Sequence, residues 1–125
     1  MEKQSVAIVG LGKMGSAFLA ELLGQPNEGI EIIAVAEINN TTGLALAKQH
    51  GIKHLSIDEL IAMGSKLNIL FDLTGEETVR QEIRGKLRAT GNHHTIIATD
   101  NIARMIWLLI ASGTELPSNH ANEGY

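Results

Sequence analysis

Ser5-Val6-Ala7-Ile8-Val9-Gly10-Leu11-Gly12-Lys13-Met14-Gly15 is the stretch on which the fold turns. Its first five residues form a short β-branched apolar run without polar alternation, the pattern of a central strand covered on both faces. Gly10 ends the run, and from Lys13 the period changes: Met14, Ala17, Phe18, Leu22 and Leu23 recur at helical spacing, with Gly24 as the expected stop. A buried strand that turns through glycines directly into a helix is the opening half of a parallel βαβ unit.

The rest of the chain repeats that alternation. Gln25-Pro26-Asn27-Glu28-Gly29 reads as a turn, and Ile30 to Ala36 as a second buried strand with Glu37 at its end. A helix is expected from about Thr42 to His50, stopped by Gly51, and then a short strand near Ile52 to Leu55. Ser56-x-x-Glu59 is a capping-box pattern ahead of Leu60, Ile61 and Met63. Asn68 to Leu73 reads as a fourth strand ending at Thr74-Gly75, roughly Glu76 to Thr90 as a charged helix, and Thr95 to Thr99 as a fifth strand. Asp100 is placed to cap a last helix that runs to Gly113. Five apolar strands alternating with helices predict an α/β fold: a doubly wound, mostly parallel sheet in the order 3-2-1-4-5, with right-handed crossovers. Residues 1–113 are expected to form this one domain and 114–125 a mobile tail.

Composition narrows the function. The chain has 125 residues and a formal charge of −4, and only four residues are aromatic. Neither the acidity nor the scarcity of stacking side chains suits a nucleic-acid surface. With no cysteine, disulfides, thiolate metal sites and a cysteine nucleophile are excluded. The N-terminal MEKQSVAIVGLG has no secretory pattern, and the longest apolar run, Met105 to Ala111, is far short of the roughly 20 residues that cross a bilayer. A cytoplasmic protein without a membrane segment is the expectation.

Gly10-Leu11-Gly12-Lys13-Met14-Gly15 is a GxGxxG between strand and helix, the context in which that pattern signals a dinucleotide site. The first glycine permits the turn, the second clears space for a pyrophosphate, and the third lets helix and strand pack closely. The free amides and positive dipole end of the helix then face the phosphates. Glu37 follows Gly15 by 22 residues, close to the spacing of the acid that accepts hydrogen bonds from an adenosine ribose. Its charge would repel a 2′-phosphate, and no Arg or Lys lies between Glu37 and Ala47, so NAD(H) is favoured over NADP(H). Ligands in such sheets lie beyond the strand carboxyl ends at the switch point. This adds Leu73, Thr74 and Gly75 after the fourth strand and Thr99 and Asp100 after the fifth as candidates to line the nicotinamide side, while Leu11 in the loop and Ile38 beyond the acid complete the expected contacts. The competing readings are a glycine turn that binds nothing, a merely exposed Glu37, and Thr74 and Asp100 as helix caps.

Other polar groups read as surface. His93 and His94 fall at the opposite sheet edge, His50 and His54 lack an acid at ligand spacing, and Arg80, Arg84 and Arg88 form a solvated stripe with Glu76 four residues before Arg80. No metal site and no catalytic residue is identified. In the last helix, Ile102, Met105, Ile106, Trp107, Leu108, Leu109 and Ile110 go round most of the surface, more than one sheet contact needs. Ile102 to Ile110 is therefore expected to meet a second copy or another protein, with Trp107 in the interface.

VAIVGLGKMG, IEIIAVAEINN and NILFDLTG together resemble the N-terminal nucleotide-binding domain of the glucose-fructose oxidoreductase, homoserine dehydrogenase and dihydrodipicolinate reductase group, over about residues 5 to 100. The resemblance implies a Rossmann fold and cofactor contact at Gly10, Gly12, Lys13, Met14, Gly15, Glu37, Thr74 and Gly75. AEINNTTGLALAKQHGIKHLSIDELI, Leu73-Thr74-Gly75 and Ala103 to Leu109 are similar to a Rossmann-like sensory domain at the front of some bacterial histidine kinases and transcriptional regulators, a match that reaches residue 110. The first group carries a second, substrate-binding domain that supplies its catalytic residues, and nothing here matches those motifs. The expectation is thus an NAD(H)-binding sensory or regulatory module, homodimeric or docked to a signalling partner through its last helix. The alternatives are an NAD(P)-dependent oxidoreductase completed by a dimer cleft or partner chain, and a non-binding interaction domain.

Overall fold

The computed structural model describes residues 2–111 and 116–118. β1 (Gln4–Val9) leads through the glycine turn into α1 (Lys13–Gly24), followed by β2 (Ile30–Ala36), α2 (Thr42–Gln49), β3 (Lys53–His54) and α3 (Ile57–Ile61). A single 3₁₀ turn (Gly64–Lys66) precedes β4 (Ile69–Asp72), α4 (Glu77–Ala89), β5 (Ile96–Ala98) and α5 (Asp100–Ile110). All strand pairs are parallel, in the order β3-β2-β1-β4-β5, as the alternation predicts.

β1 lies at the centre, and its two faces feed two cores. Val6 and Ile8 point into a cluster with Phe18 and Leu19 of α1, Val35, Phe71 and Trp107; Ala7 and Val9 point into a second cluster with Leu60, Ile61, Leu70, Ile83 and Leu87 under α3 and α4. Alternation persists along the strand, but both classes are apolar because both faces are covered. The Phe18 and Phe71 rings meet at 5.0 Å between centroids, tilted by 59°, a favourable edge-inclined geometry.

Two local features set the site. The β1–β2 register slips by one residue between Val6 and Ala7 and then runs true to Val9 opposite Ala36. The carboxyl ends of both strands therefore stop level, and Gly10 donates its amide to the Ala36 carbonyl at 2.9 Å. Gly10 has φ +93°, and a β-carbon on Gly15 would lie 1.9 Å from the Gly10 carbonyl oxygen. Only glycines allow this turn and the helix seated on it.

Element ends differ from expectation in small ways. Gly24 is the last helical residue and has no positive φ; Gln25, in extended conformation, caps α1. Thr99, not Asp100, is the N-cap residue of α5, and neither Thr99 nor Glu76 at the start of α4 uses its side chain as a cap. The Ser56–Glu59 capping box is present in full. α5 ends at Ile110 with Ala111 extended, and the expected stop at Gly113 lies outside the described residues. Most of 114–125 lies outside them too; within that stretch Leu116 is buried with the first cluster. Among the described residues no helix is long and apolar enough to cross a membrane.

Candidate functional site

A cleft of about 740 Å³ opens at the carboxyl edge of the sheet beside the glycine turn. Its floor is Val9, Gly10, Ala36 and Leu73 at the ends of β1, β2 and β4; Gly12 at the start of α1 faces it, and the segments His54 to Glu59 and Thr74 to Lys86 form its two walls. The cleft sits where the chain leaves the adjacent strands β1 and β4 in opposite directions, α1 packing on one face of the sheet and α4 on the other, which leaves the edge between them uncovered.

Glu37 is fixed before any ligand arrives. One carboxylate oxygen accepts the Leu11 amide at 2.5 Å, and the other accepts the Asn39 amide at 3.0 Å. A carboxylate has about four lone-pair positions, so two remain to accept hydrogen bonds from the cleft. Across the glycine turn, α1 begins at Gly12, which has no side chain to cap the first amides and is itself exposed. A helix start of this kind presents partial positive charge to an anion. Acceptors for hydroxyls therefore stand at one end and a cradle for phosphates at the other.

The structure divides the expected site residues. Gly10, Gly12, Glu37, Ile38, Leu73 and Thr74 line the cleft. Ile38 does so as a side chain 97% exposed, a flap at the rim. Leu11 and Met14 bury their side chains in the core, and Gly15 supports the turn from beneath, so these three meet the cleft through backbone or not at all. Lys13 is exposed beside the loop; Gly75 and Thr99 lie outside the cleft lining.

Residues not expected at the site complete both walls. His54, read from sequence as surface, brings its Nε2 to 2.8 Å from the Glu37 carbonyl and lines the cleft. Asp58 and Glu82 are joined by the Lys86 ammonium, at 2.5 and 2.8 Å, which ties α3 to α4. The Asp58 bond, then the Glu82 bond, pushes the Lys86 ammonium above its ordinary pKa. The Ser56 amide, then the Ser56 side chain, holds the Glu59 carboxyl below its ordinary value. The signal for the α4 wall is in the sequence: Val79, Glu82 and Lys86 share a helix face at i, i+3 and i+7, and the order β3-β2-β1-β4 brings that face opposite the β3 end.

The arginine stripe is also corrected. Arg80 does not pair with Glu76; its Nε donates to buried Asp72 at 3.3 Å, and Glu77 lies at 3.5 Å. Asp72, with 0% side-chain exposure, also accepts the Thr74 amide and hydroxyl at 3.1 and 2.7 Å. A buried carboxylate needs such donors, and these lock the turn after β4 against Gly10, where an added β-carbon would meet Thr74 at 2.9 Å. His94 stays at the far edge, near Asn68.

This is a glycine turn between two parallel strands, opening a helix and opposed by an acid at the end of the neighbouring strand. The chain has the Rossmann fold. No protein-family model and no curated protein sequence matches it. Solved structures that share the fold include GenD2 from gentamicin A biosynthesis in complex with NAD, 23% identical over 78% of this chain and 27% of that one, TM-score 0.58. Prephenate dehydrogenase from A. aeolicus, in complex with hydroxyphenyl propionate and NAD+, is 22% identical over 79% and 34%, TM-score 0.57. Homoserine dehydrogenase from S. aureus is 16% identical over 97% and 33%, TM-score 0.55. This Rossmann domain spans about a third of the length of the solved chains it matches.

Proposed function

We propose that the chain is a cytoplasmic NAD(H)-binding sensory or regulatory module that works without a catalytic step of its own. The observation that carries the reading is Glu37, its carboxylate aimed by two backbone amides at the cleft that the glycine turn opens. The proposed contacts are Gly10, Gly12 and the amides that open α1 for the pyrophosphate, Glu37 for the adenosine ribose, Ile38 for the base side, and Leu73, Thr74, Gly75 and Thr99 toward the nicotinamide. A 2′-phosphate would meet the Glu37 charge, so NAD(H) is preferred to NADP(H). Calorimetric titration with NADH and NADPH tests this: NADH should bind at least about tenfold more tightly, a difference of about 1.4 kcal/mol. Equal affinity removes the role of Glu37, and NADH oxidation by a small carbonyl or imine compound would replace the regulatory reading by an enzymatic one.

We further propose that α5 pairs with a second copy. Its outer face carries Ile102, Met105, Leu108 and Leu109, all exposed, with no charged residue among them. An uncharged apolar face is complementary to itself about a twofold axis, and each such side chain fully withdrawn from water is worth about 1.5–3 kcal/mol. Trp107 does not belong to this face: it is 7% exposed and packs inward with Ala103. The test is the solution mass of Leu108→Glu with Leu109→Glu, expected to be monomeric where the wild type is dimeric; a wild-type monomer at high concentration ends the proposal.

A further inference from the structure

We infer that the surface through which a second copy associates extends beyond α5 into the apolar groove between α5, the end of α1 and the start of β2, where Leu109 of the second copy seats. The inference rests on the α5 pairing proposed for this chain and carries it to residues outside that helix.

α5 bears two apolar stripes. Ala103 and Trp107 form the first, which points at the sheet and is buried. Ile102, Met105, Ile106, Leu109 and Ile110 form the second, at the i, i+3, i+4, i+7 and i+8 spacing of a helix face that lies against a neighbour. Within the chain that neighbour covers one side only. Ile106 and Ile110 are half-buried beside Leu22 and Leu23 of α1, whereas Ile102, Met105 and Leu109 are 43, 54 and 79% exposed. Packing on the sheet requires the first stripe; the second needs a further surface. Leu108, 72% exposed, lies off both stripes.

The surface beside the second stripe is concave. Leu22, Leu23, Ile30, Ile32, Ile106 and Ile110 line a groove of about 400 Å³, bordered by the turn at residues 25–27. Packed interiors leave few voids larger than a water molecule, so a concavity of this size is unfilled surface. Ile30 at its rim is itself 41% exposed.

Area decides the occupant. The four exposed side chains of α5 amount to less than three whole ones, far below the roughly 800 Å² and about 20–30 residues that each partner of a stable interface contributes. A dimer held by α5 therefore has to draw in neighbouring surface, and the groove is the apolar concavity that adjoins the stripe. A patch that holds both ridge and groove is complementary to itself about a twofold axis, the ridge of each copy meeting the groove of the other. No charged side chain belongs to the ridge or lines the groove, so two copies of a chain with a formal charge of −4 meet there without like charges in contact.

The test is the dimer dissociation constant of the full chain by sedimentation equilibrium, for wild type, Ile30→Lys and Leu108→Lys, with the unfolding temperature of each verifying that it is folded. Ile30→Lys puts a charge into the groove without touching α5 and is expected to raise the constant at least about tenfold; Leu108→Lys, off the stripe, should raise it less than about threefold. Equal constants for wild type and Ile30→Lys, or a larger effect of Leu108→Lys, would overturn the inference, leaving the groove to another occupant and the α5 pairing in place. A wild-type monomer removes both. Because the chain has no cysteine, a second measurement reads the contact itself: Ile30→Cys and Leu109→Cys proteins, mixed and oxidised, should form a mixed disulfide dimer. Absence of the mixed product between two folded variants contradicts the seating of Leu109.

Discussion

The cleft at the sheet's carboxyl edge and the outer face of α5 have been finished differently. Around the cleft the polar groups are already held, Glu37 by two amides, Ser56 by Glu59 and Lys86 by Asp58 and Glu82, among the apolar side chains of Leu55, Ile57 and Val79. On the outer face of α5 the surface is apolar and open, with Leu108 72% and Leu109 79% exposed. Pairing before binding means that a ligand meets groups whose orientation costs nothing further, which is how small-molecule sites gain affinity. Bare apolar surface gains free energy only by leaving water, which suits a macromolecular partner. In the function we propose, small-molecule recognition belongs to the cleft and association to α5.

The largest test separates the two faces of α5. Trp107→Ala should cost about 3–5 kcal/mol by opening a cavity beside Ala103 and Phe71's cluster, while Leu109→Ala, on the exposed side, should shift the stability of the isolated chain by no more than about 0.5 kcal/mol. Denaturant unfolding of the two variants checks this. Equal losses would mean that the apolar faces have been assigned the wrong way round.

Next in size is Gly15→Ala. Its new β-carbon would stand 1.9 Å from a backbone oxygen, and because neither chain can move without breaking the turn, a loss of about 3 kcal/mol is expected. The loss should come with weakened nucleotide binding, since helix and loop move together. Full stability in denaturant would show that the loop and helix are looser than described.

A smaller loss is expected for Arg80→Gln, which leaves Asp72 buried with only the Thr74 donors. About 1–3 kcal/mol should go, read in the same unfolding experiment, and Asp72→Asn in that background should restore part of it because the uncompensated charge is gone.

The smallest effect lies on the polar wall. Ser56→Ala removes the side-chain cap of α3 at a cost of about 1 kcal/mol. The Glu59 carboxyl is held below its ordinary value of 4.5, so the folded state binds its proton less readily than the unfolded chain does. Its contribution is therefore present above that value and fades as pH falls through the lower, folded-state value. Wild type and Glu59→Gln should converge in stability on acidification, and a difference that persists unchanged into strong acid would contradict the box.

How far the molecule could be read from its sequence follows from the range of each signal. The strands, the parallel order, the glycine turn and Glu37 are legible because each depends on residues near in sequence or on handedness rules that hold for every such sheet. Trp107 was misplaced because a helix apolar all round does not reveal which side meets the sheet; Ala103 and Trp107 at i and i+4 mark the inner face only once the strand beneath is known. Arg80 was expected to use Glu76 on its own helix, but a buried Asp72 eight residues back is a stronger acceptor, since it has no water to turn to. His54 and Lys86 needed the full sheet order before they could be placed across from Glu37, and no local pattern announces a wall made from three separated segments.

The central claim is that the space opened by Gly12 holds a pyrophosphate between α1 and the Glu37 cleft. Gly12 has φ −74° and ψ −152° and is exposed, so Gly12→Val can keep the backbone while filling that space. The direct measurement is NADH titration of wild type and Gly12→Val by calorimetry, with unfolding followed on the same samples. Saturable binding of one NADH per chain in the wild type, weakened at least about tenfold in a Gly12→Val protein that unfolds at nearly the same temperature, is the predicted result. Equal affinity in the two, or no binding to a folded wild type, would contradict it.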